Sequence, residues 1–198
     1  NQEWTWGYRE NDPLGGYDPY SASKGCSELA TSCYRDSFGA PGFLIASARA
    51  GNVIGGGDWS IDRLVPDLLK NGLVDQITEI REPNAIRPWQ HVLEPLSGYL
   101  LLGMELLQGK ADKASAWNFG PAETDNLSVK EIVRKLSDHI RINYEFSKTT
   151  ATLHEAQLLK LDCSKAARQL RWSPVWNHEQ MLKATAEWYK AFHENEIV

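Results

Sequence analysis

Amphipathic helical segments alternate with short apolar runs along the whole chain, and this order constrains the fold more than any other feature. The helical segments carry apolar residues three and four positions apart, and they cover residues 20–38, 61–71, 91–108 and the stretches that begin after Ser128 and Asn177. The apolar runs have the length of strands, and they cover residues 43–48, 77–80, 116–119 and 142–146. Helices that alternate with short strands predict an α/β fold.

Two helix starts carry a clear local signal. Ser128 with Glu131, and Asn177 with Gln180, each match the capping-box pattern at a helix N-terminus. The segment 91–108 carries an apolar stripe at helical spacing, made of Leu93, Leu96, Leu100, Met104 and Leu107. We interpret this stripe as a core face and not as a binding surface.

Composition and charge exclude several classes of partner. The 198 residues suit one domain or a domain and a half, with 42% hydrophobic and 24% charged residues. A net charge of -5 argues against nonspecific binding to nucleic acid or to an anionic membrane. The chain has no apolar run near the ~20 residues of a membrane span. We therefore expect neither a nucleic acid nor a membrane as partner.

The three cysteines, Cys26, Cys33 and Cys163, are odd in number and lack the spacing of metal ligands. They are best interpreted as reduced, packed thiols of a cytoplasmic protein, and we expect no metal site.

Tyr20 and Lys24 form the strongest chemical motif. They lie four residues apart in a predicted helix, so their side chains share one face. The Lys24 ammonium is expected to lower the pKa of the Tyr20 phenol from about 10 toward neutrality, which makes the phenol a usable proton acceptor. The pair indicates redox chemistry on a hydroxyl group. A second copy of the spacing, Tyr144 to Lys148, has no such context, and we interpret it as accidental.

The glycine triplet Gly55-Gly56-Gly57 cannot hold a regular element. It is either a loop where the backbone approaches a ligand or a plain connector, and the sequence leaves both open.

Five motifs, in order, resemble those of the extended short-chain dehydrogenase/reductases that act on nucleotide sugars. They are Tyr20-x-x-x-Lys24, Arg49-Ala50-Gly51-Asn52-Val53, Arg87-x-Trp89-x-x-Val92, Trp117-Asn118-Phe119-Gly120, and Asp162-x-Ser164-Lys165 with the later Leu170-Arg171-Trp172-Ser173-Pro174. Within this superfamily, three longer strings resemble the bacterial CDP-glucose 4,6-dehydratases. They cover residues 15–20, 55–59 and 86–96.

The resemblance implies the C-terminal part of a Rossmann-like doubly wound parallel sheet plus a smaller mixed α/β substrate-binding lobe. Residues 1–55, with parts of 90–120 returning to them, would complete the NAD-binding domain, and residues 56–198 would form mainly the nucleotide-sugar lobe. The family's glycine-rich cofactor turn, G-x-x-G-x-x-G, does not occur in this sequence. We therefore expect the N-terminal half of the enzyme to be absent from this chain and the chain alone to be inactive.

The resemblance also implies a reaction. It is the conversion of CDP-D-glucose to CDP-4-dehydro-6-deoxy-D-glucose and water through transient NAD-dependent oxidation at C4. Tyr20 would accept the hydroxyl proton, and Lys24 would hold the nicotinamide ribose as well as activate Tyr20. Ala50 and Val53 match cofactor-binding positions. The acid and base of the dehydration step are expected before Asn1.

The positions that match substrate contacts of the family share the task of holding a nucleotide diphosphate and its base. They are Asn52, Arg63, Leu64, Thr78, Ile80, Arg87 and His154. Arg87 would bind the diphosphate with its planar fork, although a surface ion pair is its alternative interpretation. His154 is more simply part of a polar surface loop. His91 is expected to fix its adjacent loop, and Arg49 is expected to be structural.

Two further functions stay open at this stage. One is a different nucleotide-sugar epimerase or dehydratase, and the other is an inert nucleotide-sugar binding module. By analogy with the same enzymes, we expect a homo-oligomer, either a dimer or a tetramer, located in the cytoplasm. A role in deoxysugar biosynthesis for surface polysaccharide, the O-antigen of lipopolysaccharide, is likewise implied by the resemblance alone.

Overall fold

A computed structural model describes residues 1–39, 42–147 and 156–194. The α-helices are α1 Pro19–Phe38, α2 Leu64–Leu73, α3 Leu93–Leu107, α4 Val129–Ser137 and α5 His178–His193. The strands are β1 Ser47–Ala50, β2 Asn52–Ile54, β3 Ile77–Ile80, β4 Ile86–Arg87, β5 Trp89–His91, β6 Ala116–Phe119, β7 Leu127–Ser128 and β8 Asn143–Phe146. Short helical turns also occur at Ala111–Lys113, Glu123–Asp125 and Ala166–Leu170.

The strands pair mainly in parallel. β1 pairs with β6, β2 with β5 and β3 with β8, all in parallel, whereas β4 and β7 are antiparallel. A single residue, Gly51, separates β1 from β2, and Pro88 separates β4 from β5. The chain therefore passes directly from one strand pair to the next at these two residues. Parallel strands connected through helices confirm the predicted α/β fold.

Buried side chains form two hydrophobic clusters. One lies around β6 and contains Leu102, Trp117, Phe119, Ala166, Leu170 and Trp172. The larger one joins α2, α4 and α5 to β3 and includes Leu68, Leu69, Ile80, Ile132, Leu136, Met181, Leu182 and Tyr189. Gln90 on β5 lies 3% exposed, and its side-chain amide donates to the carbonyl of Phe119 at 2.8 Å. This bond connects the second strand pair to β6.

Both predicted capping boxes are confirmed. The Ser128 hydroxyl accepts from the backbone N–H of Glu131, whose carboxylate accepts from the backbone N–H of Ser128. Asn177 and Gln180 make the same reciprocal pair at the start of α5. These bonds satisfy N–H groups that would otherwise lack partners at a helix start.

The interpretation of the α3 stripe as a core face was wrong. Leu100 and Leu107 are 76% and 92% exposed, and Leu93, Leu96 and Met104 are exposed as well. The helix buries its opposite face instead, through Gly98 and Leu102. A Cβ on Gly98 would lie 2.3 Å from Cδ1 of Phe119, so the missing side chain lets α3 pack closely on β6. Because both faces of this helix are apolar, periodicity could not tell them apart.

Two smaller expectations also differ from the structure. Cys26 and Cys33 are exposed on α1, and Cys163 alone of the three is partly buried, so the predicted packing of the thiols fails for two of them. The helix predicted over 91–108 begins at Leu93, because His91 belongs to β5.

Candidate active site

The Tyr20–Lys24 pair lies at the N-terminus of α1. The Asp18 carboxylate caps the helix by accepting from the backbone N–H of Ser21 at 3.0 Å, and Pro19 occupies the first helical position. The Ser21 hydroxyl also donates to this carboxylate at 2.6 Å, and it lowers the pKa of Asp18 together with the backbone bond. The Lys24 ammonium lies 5.5 Å from the centroid of the Tyr20 ring, and the ring is 63% exposed. The two side chains share one open face, as their spacing predicts.

Glu28 attaches α1 to β1. Its carboxylate accepts from the Ser47 hydroxyl and from Nη2 of Arg49, both at 2.7 Å. Burial raises the pKa of Glu28, but the bonds from Arg49 and Ser47 outweigh it, so the net pKa lies below its ordinary value. Arg49 therefore has the structural role that the sequence suggested. The ion pair holds the helix of Tyr20 beside the strand that ends at Ala50.

The segment before α1 is fixed against the same strands. Nη1 of Arg49 donates to the carbonyl of Glu10 at 3.2 Å, and the backbone N–H of Asn118 donates to the Glu10 carboxylate at 2.9 Å. Further on, Gly15 lies against Gly25, the one buried residue of α1. A Cβ placed on Gly25 would lie 3.3 Å from the backbone nitrogen of Gly15. These contacts set the position at which the chain enters the helix of Tyr20.

The end of β1 brings Asn52 and Arg87 into neighbouring positions. The backbone N–H of Asn52 donates to the carbonyl of Pro88 at 3.0 Å, and Asn52 lies opposite Trp89 in the β2–β5 pair. A Cβ on Gly51 would lie 2.3 Å from the Pro88 oxygen, so this turn requires glycine. Two residues that the resemblance assigns to the diphosphate thus lie on adjacent segments.

Arg87 is almost fully buried at 9% exposure, which is unusual for an arginine. Its Nη1 donates to the carbonyl of Ile86 at 2.9 Å. The next residues are held firmly, because the Trp89 indole donates to the carbonyl of Leu127 at 3.1 Å. Arg87 thus lies below the surface, and its diphosphate role stays a prediction.

Arg63 and Leu64 lie at the start of α2, directly after the glycine-rich loop. Arg63 is exposed at the N-cap position, while Leu64 is half-buried and packs on the larger hydrophobic cluster. The pKa of Asp58, within the loop, is lowered mainly by its hydrogen bond from Ser60 and to a smaller extent by the positive charge of Arg63. Arg63 is thus coupled electrostatically to the loop.

Thr78 and Ile80 lie on β3 with both side chains buried, at 8% and 2% exposure. The Thr78 hydroxyl accepts from the Asn71 side chain at 2.9 Å, and Ile80 belongs to the larger cluster. Their side chains therefore face the hydrophobic interior, and a ligand would meet backbone at these positions. His154 lies outside the described residues.

His91 is buried beside the glycine-rich loop, near Gly55. Its Nδ1 accepts from the backbone N–H of Leu93 at 3.3 Å, and its ring lies 4.7 Å from that of Trp176. Burial lowers the pKa of His91, and the nearby Glu94 carboxylate opposes this only in part. The lowered pKa favours the neutral imidazole, whose Nδ1 acts as an acceptor for the start of α3. This contact matches the structural interpretation of His91.

Sequence reasoning missed two residues near the glycine-rich loop, Trp188 and Tyr189 on α5. The Trp188 ring lies against Gly56, and the Tyr189 hydroxyl donates to the carbonyl of Asp58. About 130 residues separate these partners, and no local pattern connects an aromatic pair on a helix to a distant loop.

The described ranges lack two other features, a metal-binding cluster and a membrane-spanning helix. Residues 1–39, 42–147 and 156–194 contain no group of three or more His, Cys, Asp or Glu side chains arranged to hold a metal. No helix in these same ranges combines the length and the apolar character that a membrane crossing requires.

Comparison with known proteins identifies the family. The family model described as GDP-mannose 4,6 dehydratase matches residues 3–185. The chain is 48% identical over 206 aligned residues to the CDP-glucose 4,6-dehydratase of Salmonella typhimurium, an alignment that covers 99% of this chain and 56% of that protein. The chain thus spans little more than half the length of this relative.

Solved structures show the same fold. A dTDP-glucose 4,6-dehydratase from Bacillus anthracis, solved in complex with NAD, superimposes with a TM-score of 0.77 at 21% identity, covering 96% of this chain and 58% of that one. An epimerase from Methanothermobacter thermautotrophicus superimposes with a TM-score of 0.81 at 20% identity, covering 98% and 57%. The chain belongs to the GDP-mannose 4,6 dehydratase family, in the nucleotide-sugar dehydratase and epimerase group of the short-chain dehydrogenase/reductases.

Proposed function

We propose that the protein carrying this chain is a lyase that converts CDP-D-glucose to CDP-4-dehydro-6-deoxy-D-glucose and water. The observation that carries this proposal is the 48% identity to a CDP-glucose 4,6-dehydratase over 99% of the chain. The exposed Tyr20–Lys24 pair at a helix N-terminus supports it, because the reaction needs a proton acceptor at a sugar hydroxyl. The activity is proposed for the whole protein, since the chain spans 56% of that relative.

We propose NAD as the cofactor. When bound, it supplies the hydride acceptance and return that the reaction requires. The residues present fit its nicotinamide end: Lys24 offers an exposed ammonium to ribose hydroxyls, and Tyr20 offers its phenol on the same face. Ala50 and Val53, at the end of β1 and within β2, would line the same region. Tyr20 would accept the proton of the C4 hydroxyl.

The nucleotide diphosphate would bind near the turn at Gly51. We propose that Arg87, whose guanidinium is a planar donor held in a buried position, binds its oxygens, with Asn52 alongside. Arg63 would reach it from the start of α2, and Leu64 would pack beside it. The backbone at Thr78 and Ile80 would pass the base, since the side chains at both positions are buried. A role for His154 stays a prediction.

The predicted domain boundary is part of the same proposal. Residues 1–55, with parts of 90–120, would complete a cofactor domain, and residues 56–198 would form mainly the nucleotide-sugar lobe. We also propose a cytoplasmic location, which the three unpaired cysteines favour. A role in deoxysugar synthesis for the O-antigen would follow from this substrate.

We further propose that the protein is a homo-oligomer and that a second copy covers the exposed stripe of α3. The five residues of the stripe lie at successive intervals of three, four, four and three residues, which is the spacing of a helix–helix seam. The side chains of the stripe would bury roughly half of the ~800 Å² per partner of a standard interface. Contacts elsewhere would supply the remainder.

α3 packs on β6 through the face of Gly98, and the stripe lies on the exposed side of the helix. A second copy that presents the same stripe would match this apolar face with an identical one. Leu100→Glu is expected to lower the oligomeric mass in sedimentation velocity. Lys183→Glu, on an exposed part of α5, serves as the control. Equal masses for wild type and Leu100→Glu would contradict the interface.

The function is tested by turnover of CDP-glucose by the complete gene product, with NAD added. The second Tyr-x-x-x-Lys spacing provides a matched control, because Tyr144 lies on β8 and not on a helix. Tyr20→Phe is expected to lower kcat by about 10²–10⁴-fold, whereas Tyr144→Phe is expected to leave it unchanged. A product of unchanged mass would indicate an epimerase, and binding without turnover would indicate an inert module. Either result would contradict the proposal.

A further inference from the structure

Four aromatic side chains pack together beside the glycine-rich loop, and we call them the aromatic clamp: Trp59, Trp188, Tyr189 and Phe192. Trp59 lies 5.1 Å from Tyr189, 5.0 Å from Phe192 and 6.3 Å from Trp188, as measured between ring centroids. Trp188 and Phe192 stack with an interplanar angle of 9°. Three members of the clamp lie on α5, and Trp59 comes from the loop segment. The loop is thereby joined to a helix 130 residues further along the chain.

The backbone of the loop itself lies on the clamp. A Cβ placed on Gly56 would lie 2.1 Å from Cγ of Trp188, so the indole ring occupies the space of a side chain. On the other side of the loop, a Cβ on Gly55 would lie 2.8 Å from Cγ1 of Val92. The two glycines therefore pass between α5 and the end of β5, and larger residues would displace the loop. This packing explains why both positions are glycine.

A hydrogen bond fixes the position of the next residue. The Tyr189 hydroxyl donates to the carbonyl of Asp58, while Tyr189 is itself fully buried. Burial raises the pKa of this phenol to about 12, so the hydroxyl remains a donor throughout the neutral range. The Asp58 carboxylate in turn accepts from the backbone N–H of Ser60 at 3.0 Å.

The helix that carries the clamp is a rigid support. Leu182 and Ala186 on α5 are fully buried in the larger cluster, and Thr185 is fully buried between them. α5 also packs against α4 and β5. The loop that it holds leads directly into Arg63 at the start of α2. Trp188 and Leu64 also pack on the same hydrophobic cluster, so a change at Trp188 would reach Arg63 through the loop and through the start of α2.

We infer that Trp188 and Tyr189 are positioning residues, which hold the loop 55–60 so that Arg63 is presented to a nucleotide-sugar diphosphate. This inference rests on the proposed function, because it takes the nucleotide sugar proposed there to be the ligand that Arg63 binds. Loss of the clamp would release the loop and weaken substrate binding, while the proton acceptor Tyr20 would stay in place.

The test compares variants of the complete gene product in steady-state turnover of CDP-glucose. Trp188→Ala is expected to raise KM about tenfold with kcat changed less than about threefold, since the lost interaction concerns binding. Trp188→Phe keeps an aromatic ring over Gly56 and is expected to restore most of the affinity. Leu182→Ala is the control for stability, because Leu182 lies on the same helix six residues before Trp188 and is fully buried in the larger cluster. It is expected to lower Tm and to leave KM unchanged.

Amide hydrogen exchange over residues 55–60 gives a readout that does not depend on activity. Faster exchange is expected in Trp188→Ala and wild-type exchange in Leu182→Ala. If wild type turns over CDP-glucose but Trp188→Ala keeps the wild-type KM, the inference is wrong and the proposed function stands. If Leu182→Ala raises KM as much as Trp188→Ala, the effect is general destabilisation and the inference is also wrong. If wild type fails to turn over CDP-glucose, the proposed function is wrong and the inference fails with it.

Discussion

Gly51 is the residue at which the addition of one methyl group is expected to disturb the candidate site most. It separates β1 from β2 and packs against Pro88, so that a Cβ would lie 2.3 Å from the Pro88 oxygen and 2.5 Å from its Cγ. Both distances are far inside the 3.4 Å at which ordinary contact begins. In Gly51→Ala, Pro88 must therefore retreat by about 1 Å. Its carbonyl would then leave the backbone N–H of Asn52, which donates to it at 3.0 Å.

The expected cost follows from these two effects. Inserting a methyl group into a packed region costs about 1–3 kcal/mol, and losing the backbone hydrogen bond costs about 0.5–1.5 kcal/mol. We expect Gly51→Ala to lower the free energy of unfolding by about 2–4 kcal/mol. Because the movement separates Asn52 from the segment that carries Arg87, the affinity for CDP should fall as well.

Urea unfolding of the complete gene product measures the first effect, and calorimetric titration with CDP measures the second. Gly103→Ala is the matched control, because a Cβ on Gly103 meets nothing within 4 Å. That substitution lies in the interior of α3 and is expected to stabilise the helix by about 0.5–1 kcal/mol. The same change from glycine to alanine should thus lower the free energy of unfolding at Gly51 and raise it at Gly103. If Gly51→Ala and wild type had equal unfolding midpoints and equal CDP affinities, the predicted displacement of Pro88 would be wrong.

Two further predictions concern charge and thiol chemistry. The folded-state pKa of Glu28 lies below its unfolded value, so its pair with Arg49 contributes stability above the unfolded pKa of about 4.3 and loses it as the pH falls through the folded pKa. The stability difference between wild type and Glu28→Gln, measured by urea unfolding, should be constant near neutrality and shrink in acid; a difference that grows in acid would contradict the ion pair. Burial raises the pKa of the Cys163 thiol to about 12, whereas Cys26 and Cys33 are exposed. A thiol reagent at pH 8 should modify two cysteines quickly and Cys163 only on unfolding, and three equal rates would argue against this burial.

Local features were predictable because each depends on residues a few positions apart. Both capping boxes follow from a hydroxyl or amide side chain three residues before a Glu or Gln. The shared face of Tyr20 and Lys24 follows from helical spacing alone. The alternation of helices and apolar runs likewise predicts the fold class without knowledge of any contact.

Features that depend on distant partners were not predictable. α3 carries apolar side chains on two faces. The face that contains Gly98 is the buried one, because the small size of Gly98 lets the helix pack on Phe119 of β6. The clamp needs Trp188 to meet Gly56, and neither residue carries a local signal of the other. The buried positions of Thr78 and Ile80 follow from the packing of β3 against α2, which no spacing within β3 reveals.

The central claim is that the complete protein removes water from CDP-glucose by moving a hydride within one sugar. Incubation of the complete gene product and NAD with CDP-glucose that carries deuterium at C4 tests it most directly, with the product analysed by mass spectrometry. We expect a product that is lighter by one water and carries the deuterium at C6, and we expect Tyr20→Phe to lose this product. A product that keeps the mass of the substrate, or one that is dehydrated but has lost its deuterium to solvent, would contradict the proposed reaction.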